Sequence, residues 1–180
     1  MEILQSALRS SSPSGKRTFQ LQIIQLNILA LVDLTHRFLQ PMRLRRSGSI
    51  INLASVAAFQ FMPYFSIYSA TKAFILSFSE AISAENRSYN IQVVAVCPGP
   101  AGKQFFEQAG FPPMLVDLSS VVETPAKIVV RDTLNALTKG DSIVIPGNPA
   151  NFALATLPRF VPREWVATFW KLILGAQKKS

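Results

Sequence analysis

Ser55, Tyr68 and Lys72 are the residues of this chain whose types and spacing could do chemistry. Tyr68 and Lys72 stand four apart, so on a helix they share one face and can approach each other. A phenol ordinarily titrates near pH 10, and a neighbouring ammonium favours its ionised form by Coulomb attraction. Such a phenol could pass a proton to or from a substrate oxygen near neutral pH. Ser55, thirteen residues before Tyr68, could donate a hydrogen bond to the same oxygen and fix its position. On spacing alone, a tyrosine and a lysine four apart are more often a packed ring beside a solvated amine, and a serine after a strand is more often a turn residue. The elements around them decide between these readings.

Ser49 to Ala54 is a short β-rich run after Gly48, and it reads as a buried strand that ends just before Ser55. A loop with Phe59, Phe61, Pro63 and Tyr64 follows. Ser66 to Glu85 then has helical periodicity, with Ile67, Ala70, Phe74, Phe78, Ala81 and Ile82 predicted to face the core and Ser77, Glu80 and Glu85 to face away. Ile91 to Cys97 is a second strand, stopped by Pro98-Gly99-Pro100. Upstream, Phe19 to Arg43 repeats Leu26, Leu29, Ala30, Leu34, Phe38 and Leu39 at helical spacing, and Arg43 to Arg46 set positive charge near its C-terminus. Gln22, Gln25, Asn27 and Asp33 interrupt its apolar run, so a buried helix is expected here rather than a signal or a membrane span.

Thr124-Pro125 predicts an N-cap followed by Pro at the first position of a helix that closes near Gly140, and Ile143 to Ile145 a third strand. The chain closes with an amphipathic helix over 163–177, entered from Pro162 and crowded with Trp165, Val166, Phe169, Trp170, Leu172, Ile173 and Leu174. Residues 1–18, with Ser10-Ser-Ser-Pro-Ser-Gly15, are expected to be loose, and 19–180 to form one domain. Helices alternating with strands predict an α/β fold with a parallel sheet and crossover helices, and a ligand site at the C-terminal strand ends, where Ser55 and Pro98 fall.

Of the 180 residues, 49% are apolar and 16% charged, which excludes disorder and suits a densely packed domain. The net charge of +8 allows attraction to phosphates or anionic lipid, but no Lys/Arg run is interleaved with stacking aromatics, so nucleic acid is not the expected partner. One cysteine, Cys97, forbids an intramolecular disulfide, and one histidine, His36, argues against a zinc site. A reducing, cytoplasmic compartment fits. The aromatic helix 163–177, with Arg163, Lys171, Lys178 and Lys179, allows peripheral membrane contact but is too short to span; closing a pocket or packing on a partner subunit is the favoured use.

Asn52-Leu-Ala-Ser55, then Tyr68-x-x-x-Lys72, then a strand ending in Cys97-Pro-Gly-Pro100, resembles the short-chain dehydrogenase/reductase family. The resemblance runs from about Ile24 to Pro100. It implies an NAD- or NADP-dependent oxidoreductase interconverting an alcohol and a ketone or aldehyde. Tyr68 would be the general acid/base, Lys72 would hold the nicotinamide ribose and lower the tyrosine pKa, and Ser55 would hold the substrate oxygen. Asn27, in Leu26-Asn27-Ile28, matches the asparagine that orients a water-mediated proton relay. Pro98, Gly99 and Pro100 would line the nicotinamide pocket through their backbone. Ala101, Gly102 and Lys103 stand where the family usually has threonine-type residues.

The family's T-G-x-x-x-G-x-G turn, where small residues let a pyrophosphate approach a helix N-terminus, has no counterpart in the 180 residues, and Ser12-Pro-Ser-Gly15-Lys16 is a poor substitute. Its N-N-A-G strand segment has none either. The resemblance therefore implies a partial Rossmann-like, doubly wound sheet of three parallel strands whose N-terminal strands are missing. A truncated product, a shifted start and a fragment completed by another chain are the alternatives. Ile50 to Leu53, apolar on both faces like a central strand, is expected at an exposed edge. Two functional readings follow: an oxidoreductase, or a catalytically inactive remnant serving as a subunit-association module. The family commonly pairs subunits through the long helices at Phe19 to Arg43 and Ser66 to Glu85, which makes a homo-oligomer an expectation. Phe59, Phe61, Phe65, Phe105 and Phe106 suggest a lipophilic substrate.

Overall fold

A computed structural model describes residues 13–99 and 123–175. Three strands, β1 (Gly48–Leu53), β2 (Ile91–Val96) and β3 (Ile143–Val144), form one parallel sheet in the order β1-β2-β3. Gly48 pairs with Ile91 and Leu53 with Val96, while Ala95 and Val96 pair with Ile143 and Val144. β2, the central strand, buries Ile91 and every residue from Val93 to Val96, as an apolar run covered on both faces must. The α/β, doubly wound class expected from the order of elements is the one observed.

On one face lie α1 (Pro13–Ile24), a π-helical turn (Gln25–Ala30), α2 (Leu31–Arg45) and α3 (Ser66–Asn86). Leu39, Ile82, Ile91 and Val93 form one buried cluster of this layer, and Ala54, Ile75, Leu76, Ala95 and Cys97 another. The opposite face is covered by α4 (Ala126–Lys139), whose Ala136 packs with Val94 and Val96. That cover does not extend over β1, where Ile51 and Leu53 are 49% and 57% exposed. β1 is thus at the exposed edge expected for it, although its two-sided apolar pattern is that of a central strand. Gly48 opens β1 because a Cβ there would lie 2.5 Å from the Met42 side chain, too close for the turn out of α2.

Several boundaries and faces differ from expectation. The first helix begins at Pro13, not Phe19, so 13–18 are helical rather than loose; Pro suits a first helical position because its missing N–H has no intrahelical partner there. Residues 1–12 lie outside the described residues. α4 is capped by Pro125 instead of Thr124, whose hydroxyl accepts from Asn151 Nδ2 at 2.7 Å. A helix that the sequence reading passed over, α5 (Pro149–Thr156), is capped by Asn148, whose carboxamide oxygen accepts from the Ala150 and Asn151 amides. The last helix, α6, is Arg163–Gly175.

The long first helix is not buried. Leu26, Leu29, Leu34 and Phe38 are exposed, and Thr35 and Leu39 are the buried residues of α2. Its contact with the domain is a narrow stripe, too narrow to cover all the apolar positions that the periodicity groups together. Arg17–Arg45 is, among the described residues, the one helix long and apolar enough by length and composition to cross a membrane.

α3 turns inward a face that hydropathy predicts only in part. Thr71, Ile75, Ser79, Ile82 and Asn86 are buried, whereas Ala70 and Ala81 are exposed and Phe74 and Phe78 stack on each other, half-buried, with centroids 5.7 Å apart. Small polar residues can face inward because each donates to a carbonyl of its own helix: Thr71 Oγ1 to Tyr68 O (2.8 Å), Ser79 Oγ to Ile75 O (2.6 Å) and Asn86 Nδ2 to Ile82 O (2.7 Å). Ser79 Oγ also accepts from Asn52 Nδ2 of β1 at 2.9 Å, fully buried. In a double-mutant cycle of Asn52→Ala and Ser79→Ala, read by urea unfolding, the expected coupling is about 0.5–1.5 kcal/mol, and a value near zero would mean that the bond does not hold α3 to the sheet.

Candidate active site

Ser55 begins the chain's exit from β1. Ala54 N donates to Val96 O (2.8 Å) and Val56 N to Pro98 O (3.0 Å), so the segment around Ser55 is strapped to the end of β2 and its Pro98-Gly99 turn. Ser55 caps a 3-10 turn, Val56–Phe59, its Oγ accepting from Ala57 N at 3.1 Å. Tyr68 and Lys72 sit in the first turns of α3, on the same helical face as Thr71, Ile75 and Ser79. Further along α3 that face is pressed onto the sheet, chiefly onto β2; at its start it reaches the C-terminal end of β1, where Lys72 bonds to Leu53 O beside Ser55.

There the Ser55 hydroxyl lies beside the Tyr68 phenol and favours its ionised form. Lys72 Nζ lies 5.8 Å from the centroid of the Tyr68 ring and donates to Leu53 O at 2.8 Å. Asn27, in the π-helical turn, donates from Nδ2 to Thr71 Oγ1 at 3.1 Å, which brings the turn to the same stretch of α3. Ser55, Tyr68, Lys72 and Asn27 are therefore gathered by two strand ends and two helices. Pro98 and Gly99 close the strand end, while Pro100 and the run Ala101, Gly102 and Lys103 lie outside the described residues.

The electrostatics depart from the expected pattern in one respect. Burial pushes the Tyr68 phenol above its ordinary value, and the Ser55 hydroxyl, rather than the Lys72 ammonium, is what pulls it back. Burial also pushes the Lys72 amine below the usual lysine range. Beneath the site, burial raises the Cys97 thiol to about 12.

Two contributors were not found from sequence. Thr71 is the anchor for Asn27, and its only signal is its place three residues after Tyr68. Gln60, a buried amide amid Phe59 and Phe61, donates to Leu154 O and accepts from Trp170 Nε1 at 3.0 Å, tying the loop after Ser55 to α5 and α6. A cavity of about 880 Å³ opens beside that loop, with Phe59 and Phe61 in its wall, but it borders the Ser66, Ser69, Ala70 and Ala73 side of α3 and not Ser55, Tyr68 or Lys72. Phe65 is not in its wall; Phe105 and Phe106 lie outside the described residues.

A family model for the short chain dehydrogenases matches residues 13–109, more than half of the chain. The chain belongs to that family. It is 33% identical over 118 residues to mouse 17-beta-hydroxysteroid dehydrogenase type 3, covering 66% of this chain and 36% of the relative. Over 142 residues it is 30% identical to the ketoacyl reductase HetN of Nostoc sp., covering 75% and 46%. Among solved structures, a short-chain dehydrogenase from Sphingobium yanoikuyae in complex with NADPH superposes with a TM-score of 0.57 at 30% identity, covering 68% of this chain and 46% of that one. The chain thus spans between about a third and a half of the length of these three relatives.

Of these relatives, the Sphingobium yanoikuyae structure holds NADPH, and the spare donors of Lys72 fit the ribose beside a nicotinamide. Lys72 has three ammonium donors and, among the described residues, one acceptor, Leu53 O, so two remain for ribose hydroxyls. Among the described residues no glycine-rich turn is placed to receive the pyrophosphate.

The raised thiol and phenol make stability fall at high pH. Between pH 9 and about 12 the unfolded chain has released the Cys97 proton while the folded one still holds it, so unfolding becomes easier as pH rises. Tyr68 acts in the same sense above pH 10. Urea midpoints from pH 8 to 11 should drop, the thiol contributing at most about 1.4 kcal/mol per pH unit, and Cys97→Ala should flatten the drop. An unchanged slope in that variant would remove Cys97 as the cause.

Proposed function

We propose that this chain performs the proton chemistry of an NAD- or NADP-dependent oxidoreductase that interconverts an alcohol and a ketone or aldehyde. The observation that carries the reading is the placement of Lys72 Nζ 5.8 Å from the Tyr68 ring and bonded to Leu53 O at the end of β1, beside Ser55. The nicotinamide, when bound, supplies or accepts the hydride. The chain's residues manage the oxygen. A substrate oxygen placed between Ser55 and Tyr68 receives the serine's hydrogen bond and the phenol's proton in reduction, and returns the proton in oxidation.

A phenol held neutral by burial is the right form to donate, and a lysine whose burial disfavours its charge gives up a proton more readily to recharge it. Lys72 has donors left over to hold the ribose. Asn27, tethered to Thr71 in a π-helical turn, a form concentrated at functional sites, orients the water that links the site to solvent. A lipophilic substrate is favoured by the hydroxysteroid and ketoacyl groups for which two relatives are named, and by the apolar loop Phe59 to Tyr64 after Ser55. The exposed apolar flank of Leu26, Leu29, Leu34 and Phe38 suits a second copy of the chain.

The test is a titration of the purified protein with NADPH and with NADH, followed by nicotinamide fluorescence, and then turnover of an apolar ketone. Tyr68→Phe is expected to keep cofactor affinity and lose about 10²–10⁴-fold in turnover. Lys72→Met should weaken cofactor binding as well. A folded protein that binds neither nucleotide overturns the reading and leaves the association module in its place.

A further inference from the structure

We infer that the cavity beside the loop after Ser55 is a binding site for an anionic amphiphile, an apolar chain that ends in a carboxylate or a phosphate. Its volume of about 880 Å³ lies in the range that holds a small-molecule ligand. The space exists because α3 and α6 both present small side chains to it, Ser66, Ser69, Ala70 and Ala73 from the first and Ala167 from the second. Phe59, Phe61, Met62 and Val161 add an apolar wall.

Charge selects the ligand. Arg159 and Arg163 both line the cavity, Arg159 over the Phe59 ring at 5.3 Å and Arg163 over the Phe61 ring at 4.2 Å. A guanidinium held on an aromatic face is fixed in place with its N–H edges still able to donate. Among the described residues neither arginine has a carboxylate partner or a hydrogen-bond acceptor for its side chain. The wall holds no Asp or Glu, and Glu164, next to Arg163 in sequence, is not part of it. Two fixed cations beside an apolar space, with no acid to balance them, match a ligand that carries the negative charge itself.

The wall is set before any ligand arrives. Gln60, also in it, donates to Leu154 O and accepts from Trp170 Nε1 at 3.0 Å, which fixes the loop to α5 and α6. The ligand is not the one whose oxygen Tyr68 would serve. Ser66, Ala70 and Ala73 lie on a side of α3 turned away from Tyr68 and Lys72, and neither of those two lines the cavity.

The experiment titrates the whole chain by isothermal calorimetry with decanoate, decyl phosphate and 1-decanol, each below its micellar concentration. At least one of the two anions should saturate a single site about tenfold more tightly than the alcohol, and the tighter anion tells a fatty-acid source from a lipid-phosphate one. Arg159→Gln and Arg163→Gln should each weaken anion binding about tenfold and leave 1-decanol unchanged. Ala70→Phe, which fills the space from an exposed position on α3, should abolish binding of all three. If its circular dichroism shows that it does not fold, the arginine variants decide the case. No binding of either anion, equal affinity for the anions and the alcohol, or unchanged affinity in both arginine variants overturns the proposal. Nicotinamide binding and turnover enter none of these readouts.

Discussion

The structure depends on the polar seam along the inward face of α3. Thr71, Ser79 and Asn86 lie eight and seven residues apart, which keeps them on one side of the helix. Each satisfies a donor on its own helix and accepts from another element: Thr71 from Asn27 of the π-helical turn, Ser79 from Asn52 of β1, Asn86 from Arg43 of α2. Buried polar groups are costly when unpaired, so these three bonds admit one register of α3 against the sheet and the first helix. Tyr68 and Lys72 begin the same face. Their direction over the end of β1 follows from that register.

The same burial shapes the chemistry. α3 takes the Tyr68 phenol and the Lys72 amine out of water together, and desolvation moves the first up and the second down. The two shifts favour a neutral phenol beside an amine that holds its proton less tightly than a free lysine. Ser55 tempers the effect on Tyr68, and it can do so because Ala54 and Val56 are both bonded to the β2 end, leaving the serine little freedom. The loop that follows is then fixed through Gln60 to α5 and α6, so the segment after Ser55 and these two helices belong to one mechanical unit.

Much of this was legible as pattern. The strands stand out as apolar β-rich runs, and Ser55, Tyr68 and Lys72 as a spacing, with Asn27 found by its place in the helix before the serine strand. The inward face of α3 was legible in part: Ile82 is buried and Phe78 packs on a buried cluster as hydropathy anticipates, but an apolar period does not register Thr71, Ser79 and Asn86, polar side chains already bonded to their own helix. α5 was missed as a helix of eight residues, too short for a period, although Asn148-Pro149 carried the cap signal. The first helix was expected to be buried because periodicity counts apolar positions without showing how wide a partner surface meets them.

By itself the sequence determined which groups could meet: a hydroxyl at a strand end, a phenol and an amine one helical turn apart, and an asparagine in the helix before them. Short-range geometry suffices for that, since strand exit and helical spacing are local. Only the tertiary structure decided that Ser55 lies beside Tyr68, that Asn27 reaches the site through Thr71, and that the phenol is pushed up rather than down. Those outcomes depend on which face of α3 is pressed to the sheet and how much water it excludes, and both come from contacts between residues distant along the chain.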